Sequence, residues 1–378
     1  MKHVAIVAAL VLVLVSGVVS VSGAAAPIKL GVVAPLSGPG TSYGLGIKQG
    51  AEMAVDEINK AGGVGGRQIQ LIVVDDASNP GQSVTAMQRL VNQDAVDLVI
   101  GGWGSSQVLA NMEVSERAGV PNIVVGATNP KITTAKNKWT FRVIQTDSVQ
   151  AKEIAKIGVQ VLGLKRIAVI NDSNDYGVGN KDAFLEAMDE LKQKPVEIQA
   201  YNSSDKDFTA QLTRIKAANP DGLAIFGTIP GAPAIMNQAR DLGITARFIG
   251  TGGLANENLI TLAPKASAGT VLTTLFHEDV DADGRAWADR YTKLFGGGSQ
   301  PARPVLAAWE YRTIRFIAQP CLQKAGTDKG KLRECIATWK GKVFGVPTEV
   351  HFDETGQLVQ ESVLVEVKDG VFAAYKRK

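Results

Sequence analysis

Two spacings of hydrophobic residues alternate along most of the chain. Short runs of consecutive apolar residues, typical of strands covered on both faces, are separated by longer stretches with apolar residues at helical spacing. Residues 47–61 illustrate the second kind, with Gly62 and Gly63 as a helix stop. The apolar runs predict strands over 28–34, 69–74, 98–100, 121–126, 139–144, 166–171, 196–201, 222–226, 246–250 and 270–276.

The intervening segments predict helices, and the order of elements predicts the fold class. Alternating strands and helices indicate parallel sheets with helices on both faces, for which the doubly wound form is the default. Near residue 147 the alternation restarts, which predicts a second, similar lobe. The predicted helices cover 47–61, 80–92, 108–118, 149–162, 179–191, 208–218, 232–242, 283–295 and 304–322.

Beyond residue 269 the pattern becomes irregular and ends in apolar segments near 345–352 and 362–368. These segments predict that the chain crosses three times between the lobes, forming a three-segment hinge that allows rigid-body closure. We therefore expect an α/β protein of two doubly wound parallel-sheet lobes. Residues 27–146 plus 276–353 form the expected amino-terminal lobe, and residues 147–275 plus 354–378 form the expected carboxyl-terminal lobe.

The first 24 residues have the pattern of a secretory signal peptide. Lys2 precedes an apolar run over 4–15, which is too short to span a bilayer and is followed by small residues. Ser22 and Ala24 stand three residues and one residue before the best cleavage site. We therefore expect a periplasmic, exported protein without a direct membrane anchor, and we expect it to be a monomer.

Composition and side-chain chemistry exclude several function classes. Lys and Arg number 40 against 37 Asp and Glu, which argues against a nucleic-acid partner. The three histidines form no motif with a nucleophile or a metal-ligand spacing, and His277 is expected to be a solvated loop residue. The glycines near Gly38 and Gly44 do not have dinucleotide-binding spacing. The sequence thus predicts no enzyme, no metal and no cofactor.

One stretch has the properties of an anion-binding site. The apolar run 98–100 ends in glycines and is followed by Trp103, Gly104, Ser105 and Ser106. Ligands of parallel sheets bind beyond the carboxyl ends of strands, where a helix N-terminus offers unpaired N–H groups. This geometry favours an anion, most simply a carboxylate. Ser105 as a plain helix cap is the alternative, and the two roles are compatible.

The sequence has two cysteines, Cys321 and Cys335. Because cysteines of an exported protein meet an oxidising environment, we expect them to form a disulfide. Two unpaired buried thiols are the alternative. A turn over 326–331 would bring two helical segments together. The expected role of this disulfide is structural.

Several short motifs together carry a family resemblance over residues 28–372. In chain order they are Leu36-Ser-Gly-Pro39, Tyr43-Gly44, Gly62-Gly-Val-Gly-Gly66, Asp75-Asp76, Gly101 to Ser106, Ala127-Thr-Asn-Pro130, Asp175-Tyr-Gly177, Asp205-Lys-Asp-Phe208 and Gln238-Ala-Arg240. With them the chain resembles the periplasmic solute-binding proteins of branched-chain amino acid ABC transporters, the leucine/isoleucine/valine-binding type with the class I periplasmic-binding fold. The resemblance implies a receptor that delivers a small ligand to a membrane ABC permease.

The resemblance also implies a set of ligand-binding positions. The ligand carboxylate would be held after the third and fourth strands, and the family's aromatic walls would match tyrosines after the first strand of each lobe. Tyr43, Trp103 and Tyr176 have ordinary core packing as their alternative role. The implied positions are Tyr43, Ser105, Ser106, Gly126, Thr128, Tyr176 and Thr228, and we predict that their loop neighbours Trp103, Gly104 and Ala127 also contact the ligand.

Position 252 departs from the family pattern. The family's amino-acid binders carry an acidic residue there to pair with the ligand ammonium, whereas this chain has Gly252. A buried ammonium without a counter-charge is costly, so we expect an aromatic or related organic acid. Branched-chain or other amino acids are the alternative, with Asp147 or Glu257 as substitute carboxylates. Amides or urea-like ligands, and a ligand-binding sensor module, are more remote alternatives.

Overall fold

A computed structural model describes residues 25–134, 137–229, 231–296, 305–346 and 348–375. The predicted signal peptide lies outside these residues. Within them the strands are β1 (Ile28–Ala34), β2 (Ile69–Asp75), β3 (Leu98–Gly101), β4 (Asn122–Val124), β5 (Thr140–Arg142), β6 (Ile167–Asp172), β7 (Glu197–Tyr201), β8 (Gly222–Phe226), β9 (Arg247–Gly250), β10 (Val271–Thr274), β11 (Lys340–Gly341), β12 (Val350–Phe352), β13 (Leu358–Val359), β14 (Val363–Lys368) and β15 (Val371–Ala374).

The strands form two large sheets and one small sheet. The first has the order β2-β1-β3-β4-β5, with all pairs parallel. The second has the order β15-β14-β10-β9-β8-β6-β7, in which β14 and β15 run antiparallel to their neighbours. The α/β class and the two lobes agree with the sequence prediction, but the second sheet is mixed. Strands β11, β12 and β13 form a small antiparallel sheet.

Helices cover the faces of the large sheets. Three of them continue into π-helical turns, which cover residues 89–93, 157–161 and 313–318. The helices are α1 (Thr41–Lys60), α2 (Pro80–Gln88), α3 (Ser105–Ala118), α4 (Lys131–Thr134), α5 (Asp147–Lys156), α6 (Asp175–Glu190), α7 (Thr209–Ala217), α8 (Gly231–Asp241), α9 (Asn258–Leu262), α10 (Ala282–Phe295), α11 (Val305–Arg312), α12 (Gln319–Ala325) and α13 (Lys329–Ala337).

Three helices begin three or more residues earlier than their apolar spacing predicts. The structure begins α1 at Thr41, α3 at Ser105 and α6 at Asp175, whereas the sequence predicted starts at 47, 108 and 179. Their first turns consist of polar, glycine and aromatic residues, which carry no core-facing apolar signal. As a result, Tyr43 and Tyr176 lie on first helical turns and not in the loops where the sequence placed them.

The chain passes between the lobes for the third time a few residues beyond 353. Leu358 and Val359 still pair with β12, whose Val350 and Phe352 belong to the same apolar core as β1. The next strand, β14, pairs with β10 in the second lobe. Residues 360–362 therefore form this crossing segment.

The structure joins Cys321 and Cys335 in a disulfide between α12 and α13, the pairing that the sequence favoured. The two Cα atoms are 5.5 Å apart and 14 residues apart in sequence. Cys321 belongs to the core of the first lobe together with Leu322, Leu332 and Ile336. The crosslink therefore anchors α13 to that core.

Replacing both cysteines by alanine should destabilise the protein without altering the binding of a ligand in the cleft. A loop of about 15 residues closed by a disulfide contributes roughly 3 kcal/mol of stability. Thermal unfolding of the parent and of Cys321→Ala/Cys335→Ala measures this loss. An unchanged melting temperature, or alkylation of both thiols in the unreduced parent, would contradict the disulfide.

Candidate functional site

The topology places one cleft at the point where both sheets reverse their strand order. In the first sheet the reversal lies between β1 and β3, and in the second between β6 and β8. Ligands of open α/β sheets bind beyond the carboxyl ends of such strands. A cavity of about 260 Å³ lies there between the lobes. Its lining includes Tyr43, Trp103, Gly104, Ser105, Ser106, Gly126, Thr128, Gln150, Asp172, Asn174, Tyr176, Tyr201, Ser203, Thr228, Ile229, Gly252, Gly253 and Asn256.

Ten of the predicted positions line this cavity, and two do not. Ala127 is buried and its carbonyl accepts a hydrogen bond from Arg142 Nη1 at 3.4 Å. Asp147 is fully buried beside the cavity. The sequence named Ala127 as part of the loop that carries Thr128, and Asp147 as a substitute carboxylate for the acid missing at position 252. It did not separate residues that face the cleft from those that face the core.

The hydroxyls of Ser105 and Thr128 lie together at the corner of the cavity where the sequence predicts anion binding, the anion-binding corner. Ser105 Oγ accepts from the Asn129 amide at 3.2 Å, which leaves its proton available for donation into the cleft. Thr128 Oγ1 is buried, makes no well-formed hydrogen bond among the described residues, and lies close enough to the Asp147 carboxyl to lower the pKa of that group. The first turn of α3 adds backbone N–H groups without intrahelical partners. A carboxylate would accept hydrogen bonds from all of these donors.

Gly126 shapes this corner by its small size and not by its amide. Its N–H donates to Gly102 O at 2.9 Å, so the amide is not available to a ligand. A Cβ atom at this position would lie 2.8 Å from Trp103 Cα. Gly126 therefore permits the close approach of the two loops that follow β3 and β4.

Tyr43 and Trp103 form one aromatic wall. Their rings are stacked with centroids 4.7 Å apart and planes inclined by 22°. Tyr43 belongs to the first lobe, yet its hydroxyl donates to Gly253 O at 2.7 Å and accepts from Ile229 N at 3.1 Å in the second lobe. Burial raises the pKa of Tyr43 above its usual range, so its hydroxyl stays protonated. One phenol thus joins both lobes.

A second inter-lobe contact engages Ser106. Its hydroxyl donates to Asp175 Oδ2 at 2.7 Å, and Asn129 Nδ2 donates to Asp175 O at 2.9 Å. The sequence assigned Ser106 to the ligand, but in this conformation its proton is donated to the opposite lobe. Together with Tyr43, these contacts define a closed arrangement of the two lobes.

Two tyrosines of the second lobe differ in how their hydroxyls are bonded. Tyr176 OH hydrogen-bonds with Thr251 Oγ1 at 3.0 Å and accepts from Gly253 N at 2.9 Å. Tyr201, at the end of β7, lines the same cavity, and its buried hydroxyl has no partner among the described residues. Sequence analysis missed Tyr201, although its position at the carboxyl end of a parallel strand was the available signal.

Gln150 occupies the space beside Gly252. Its Oε1 accepts from Gly252 N at 3.0 Å and from Thr273 Oγ1 at 3.3 Å. A Cβ atom on Gly252 would lie 2.9 Å from this oxygen. The neutral amide of Gln150, which sequence analysis also missed, therefore stands where the family's amino-acid binders have an acidic side chain.

Neither substitute carboxylate named from the sequence lines the cleft. Asp147 Oδ1 accepts from Asn180 Nδ2 at 2.6 Å in a buried position. Glu257 lines a different cavity together with His277. The prediction of a solvated His277 was wrong, because the ring is buried and its Nε2 lies 2.9 Å from Phe372 O. Asp147 begins α5, Glu257 immediately precedes α9 and His277 follows β10, and the apolar pattern does not orient such positions at the ends of elements.

Asp172 is the acidic residue of the cavity lining, and its oxygens are already hydrogen-bonded. Ser203 Oγ lies 2.7 and 2.8 Å from the two carboxyl oxygens, and the Asn174 amide donates to Oδ1 at 3.1 Å. Burial raises the pKa of Asp172 against the lowering effect of these bonds. Among the lining residues that the structure describes, none is a lysine or an arginine.

Other chemistries find no support in the described part of the chain. It contains no group of three or more His, Cys, Asp or Glu side chains arranged to hold a metal ion. Its helices are not long and apolar enough to cross a membrane.

The chain belongs to the periplasmic binding protein family, whose model matches residues 27–371. It is 32% identical over 346 residues to the leucine-, isoleucine-, valine-, threonine- and alanine-binding protein of Pseudomonas aeruginosa, a match that covers 91% of this chain and 90% of that protein. The protein is therefore a periplasmic solute-binding receptor of the ABC transporter type. This membership confirms the predictions of a receptor and of no enzyme.

Solved structures agree with this membership. The substrate-binding protein of a branched-chain amino acid transporter from Streptococcus pneumoniae, in complex with isoleucine, superposes with a TM-score of 0.85 at 27% identity, covering 92% of this chain and 98% of that chain. A solute-binding protein of an ABC transporter from R. palustris, in complex with benzoate, has a TM-score of 0.83 at 21% identity and covers 92% and 95%. Both share the class I two-lobed fold.

The buried Asp147 should make stability depend on pH. Burial raises its pKa from the usual value near 3.8 to about 7, against the lowering effects of Thr128, Arg142 and Asn180. The folded protein then holds a proton that the unfolded chain has lost, so stability should fall as pH rises from about 4 to 7, by at most roughly 1.4 kcal/mol per pH unit. Asp147→Asn, which is isosteric, should remove this contribution.

The measurement is the melting temperature of the parent and of Asp147→Asn from pH 4 to 8. The difference between the two curves isolates Asp147 from other buried acids. Parallel curves throughout this range would show that Asp147 is ionised in the folded protein and would contradict the assignment.

Proposed function

We propose that this receptor binds a small carboxylate without an amino group, with an aromatic acid favoured, and delivers it to a membrane ABC permease. The observation that carries the proposal is the charge pattern of the cleft. Hydroxyls and helix N–H groups gather at Ser105 and Thr128, whereas the neutral Gln150 stands beside Gly252. An anion is accommodated at one end, and the family's usual partner for an ammonium is missing.

The shape of the lining supports an aromatic ligand. The stacked pair of Tyr43 and Trp103 forms a flat wall on the first lobe, and Tyr176 lines the second lobe. A planar ring stacks favourably on such surfaces at centroid separations of roughly 4.5–7 Å. A benzoate, a cinnamate or an aryl keto acid would use both the anion-binding corner and this wall.

Amino acids are the second candidate, and a specific observation favours them. The Pseudomonas aeruginosa relative is named for five amino acids and covers nearly the whole chain. In this cleft the acidic lining residue is Asp172, whose oxygens already accept from Ser203 and Asn174. An amino-acid ligand would place its ammonium at Asp172 or pair it with neutral acceptors such as Gln150.

A ligand panel distinguishes the two candidates. Benzoate, 4-hydroxybenzoate and cinnamate are compared with the twenty amino acids by thermal shift, followed by calorimetry. A ligand at one hundred times its Kd should stabilise the protein by about 2.7 kcal/mol. We expect shifts with aromatic acids. Shifts with leucine or valine and none with any aromatic acid would contradict the favoured ligand class.

The anion-binding corner is tested by Ser105→Ala and Thr128→Ala. Each variant removes a charge-assisted hydrogen bond worth about 1.5–3 kcal/mol, so each should weaken binding of the ligand found by the panel at least tenfold. Ser115→Ala is the matched control, because Ser115 lies further along α3 outside the cavity lining and its hydroxyl donates to Met112 O at 2.8 Å, so ligand affinity should not change. Unchanged affinity in a folded Thr128→Ala variant would place the carboxylate elsewhere.

A further inference from the structure

Three tyrosines line the cavity, Tyr43 from the first lobe and Tyr176 and Tyr201 from the second, and they differ in whether their hydroxyls have hydrogen-bond partners. Burial raises the pKa of Tyr201 well above its usual range, and the nearby Asp172, Tyr176 and Tyr43 raise it further. Tyr43 OH is hydrogen-bonded to the backbone of Gly253 and Ile229. Tyr176 OH is hydrogen-bonded to Thr251 Oγ1 and to the Gly253 amide. Tyr201 OH is the member of the three that has no partner among the described residues.

The surroundings hold Tyr201 in this position. Its ring packs edge-on against Phe208 with centroids 5.2 Å apart, which restrains its rotation. Its hydroxyl lies against two glycines, because a Cβ atom on Gly227 would be 1.9 Å from this oxygen and one on Gly231 would be 3.3 Å away. Side chains at either position would close the space in front of the phenol.

The buried Tyr201 hydroxyl has no hydrogen-bond partner among the described residues, which is unfavourable in free energy. Its position suggests that a bound ligand supplies the partner. Tyr201 is 3% exposed and lines the ligand cavity from the second lobe, whereas the anion-binding corner belongs to the first lobe. A buried polar group without a partner destabilises the structure that contains it. A polar atom of a bound ligand would supply the missing bond.

Resting on the proposed function, we infer that Tyr201 selects ligands with a neutral hydrogen-bonding group, such as a ring hydroxyl, at the end opposite the carboxylate. Asp172 lies near Tyr201 and disfavours a second anion at that end. A site built to hydrogen-bond a hydroxyl rejects the analogue that lacks it, because the site is then left with an unpaired polar group.

The test uses two ligand pairs that differ by one hydroxyl: 4-hydroxybenzoate with benzoate, and tyrosine with phenylalanine. In calorimetry on the parent, the hydroxylated member of whichever pair binds should have a Kd at least tenfold lower than that of the unhydroxylated member. Tyr201→Phe should reduce this ratio to between one and three, while the Kd of the unhydroxylated member stays within about threefold.

Tyr291→Phe is the matched control, since Tyr291 OH is buried outside the cleft and donates to Gln49 Oε1 at 2.5 Å. It should leave the ratio unchanged and lower the melting temperature of the ligand-free protein. Tyr201→Phe should not lower that temperature, because it removes a hydroxyl without a partner.

The outcomes separate this inference from the proposed function. Binding of the amino-acid pair alone contradicts the aromatic-acid proposal, and the ratio for that pair still tests Tyr201. An equal ratio in the parent and in Tyr201→Phe, or no preference in the parent, overturns the inference. Failure of all four ligands to bind contradicts both.

Discussion

The parallel orientation of the strands determines where every functional group of this receptor lies. Parallel strands end at the same sheet edge, so the helices that follow them begin there and direct their N-terminal peptide groups toward the same crevice. In the first lobe this edge carries Tyr43, Ser105 and Thr128, and in the second it carries Tyr176 and Tyr201. Two such edges facing each other produce a cleft lined with hydrogen-bond donors and tyrosines.

The closed lobes depend on a small number of polar contacts across this cleft. Tyr43 contacts the Gly253 and Ile229 backbone, and Ser106 contacts Asp175. From Gly253 the hydrogen bonds continue through Tyr176, Thr251 and Asn180 to Asp147 at the start of α5. The groups that bind across the cleft are thus connected to the segment where the chain enters the second lobe, and closure and ligand binding share the same residues.

Much of the fold followed from the sequence because the apolar runs and the helical spacing are strong signals. The strand over Ile28–Ala34 has the predicted bounds, and Ser105, Thr128 and Tyr176 line the cavity as expected. The first turns of α1, α3 and α6 were missed because polar and glycine residues carry no apolar period. Tyr201 and Gln150 were missed because a strand-end tyrosine and a helical glutamine are ambiguous until their neighbours are placed. The burial of Asp147 and His277 likewise depends on tertiary contacts that spacing does not report.

We propose that a carboxylate without an ammonium binds at the anion-binding corner of the cleft. A crystal structure of the protein grown with benzoate tests it most directly. The carboxylate oxygens should lie about 2.5–3 Å from Thr128 Oγ1 and Ser105 Oγ, with the ring against Tyr43 and Trp103. A carboxylate bound elsewhere, or a co-purified amino acid retained in the cleft with its ammonium at Asp172 in place of benzoate, would contradict it.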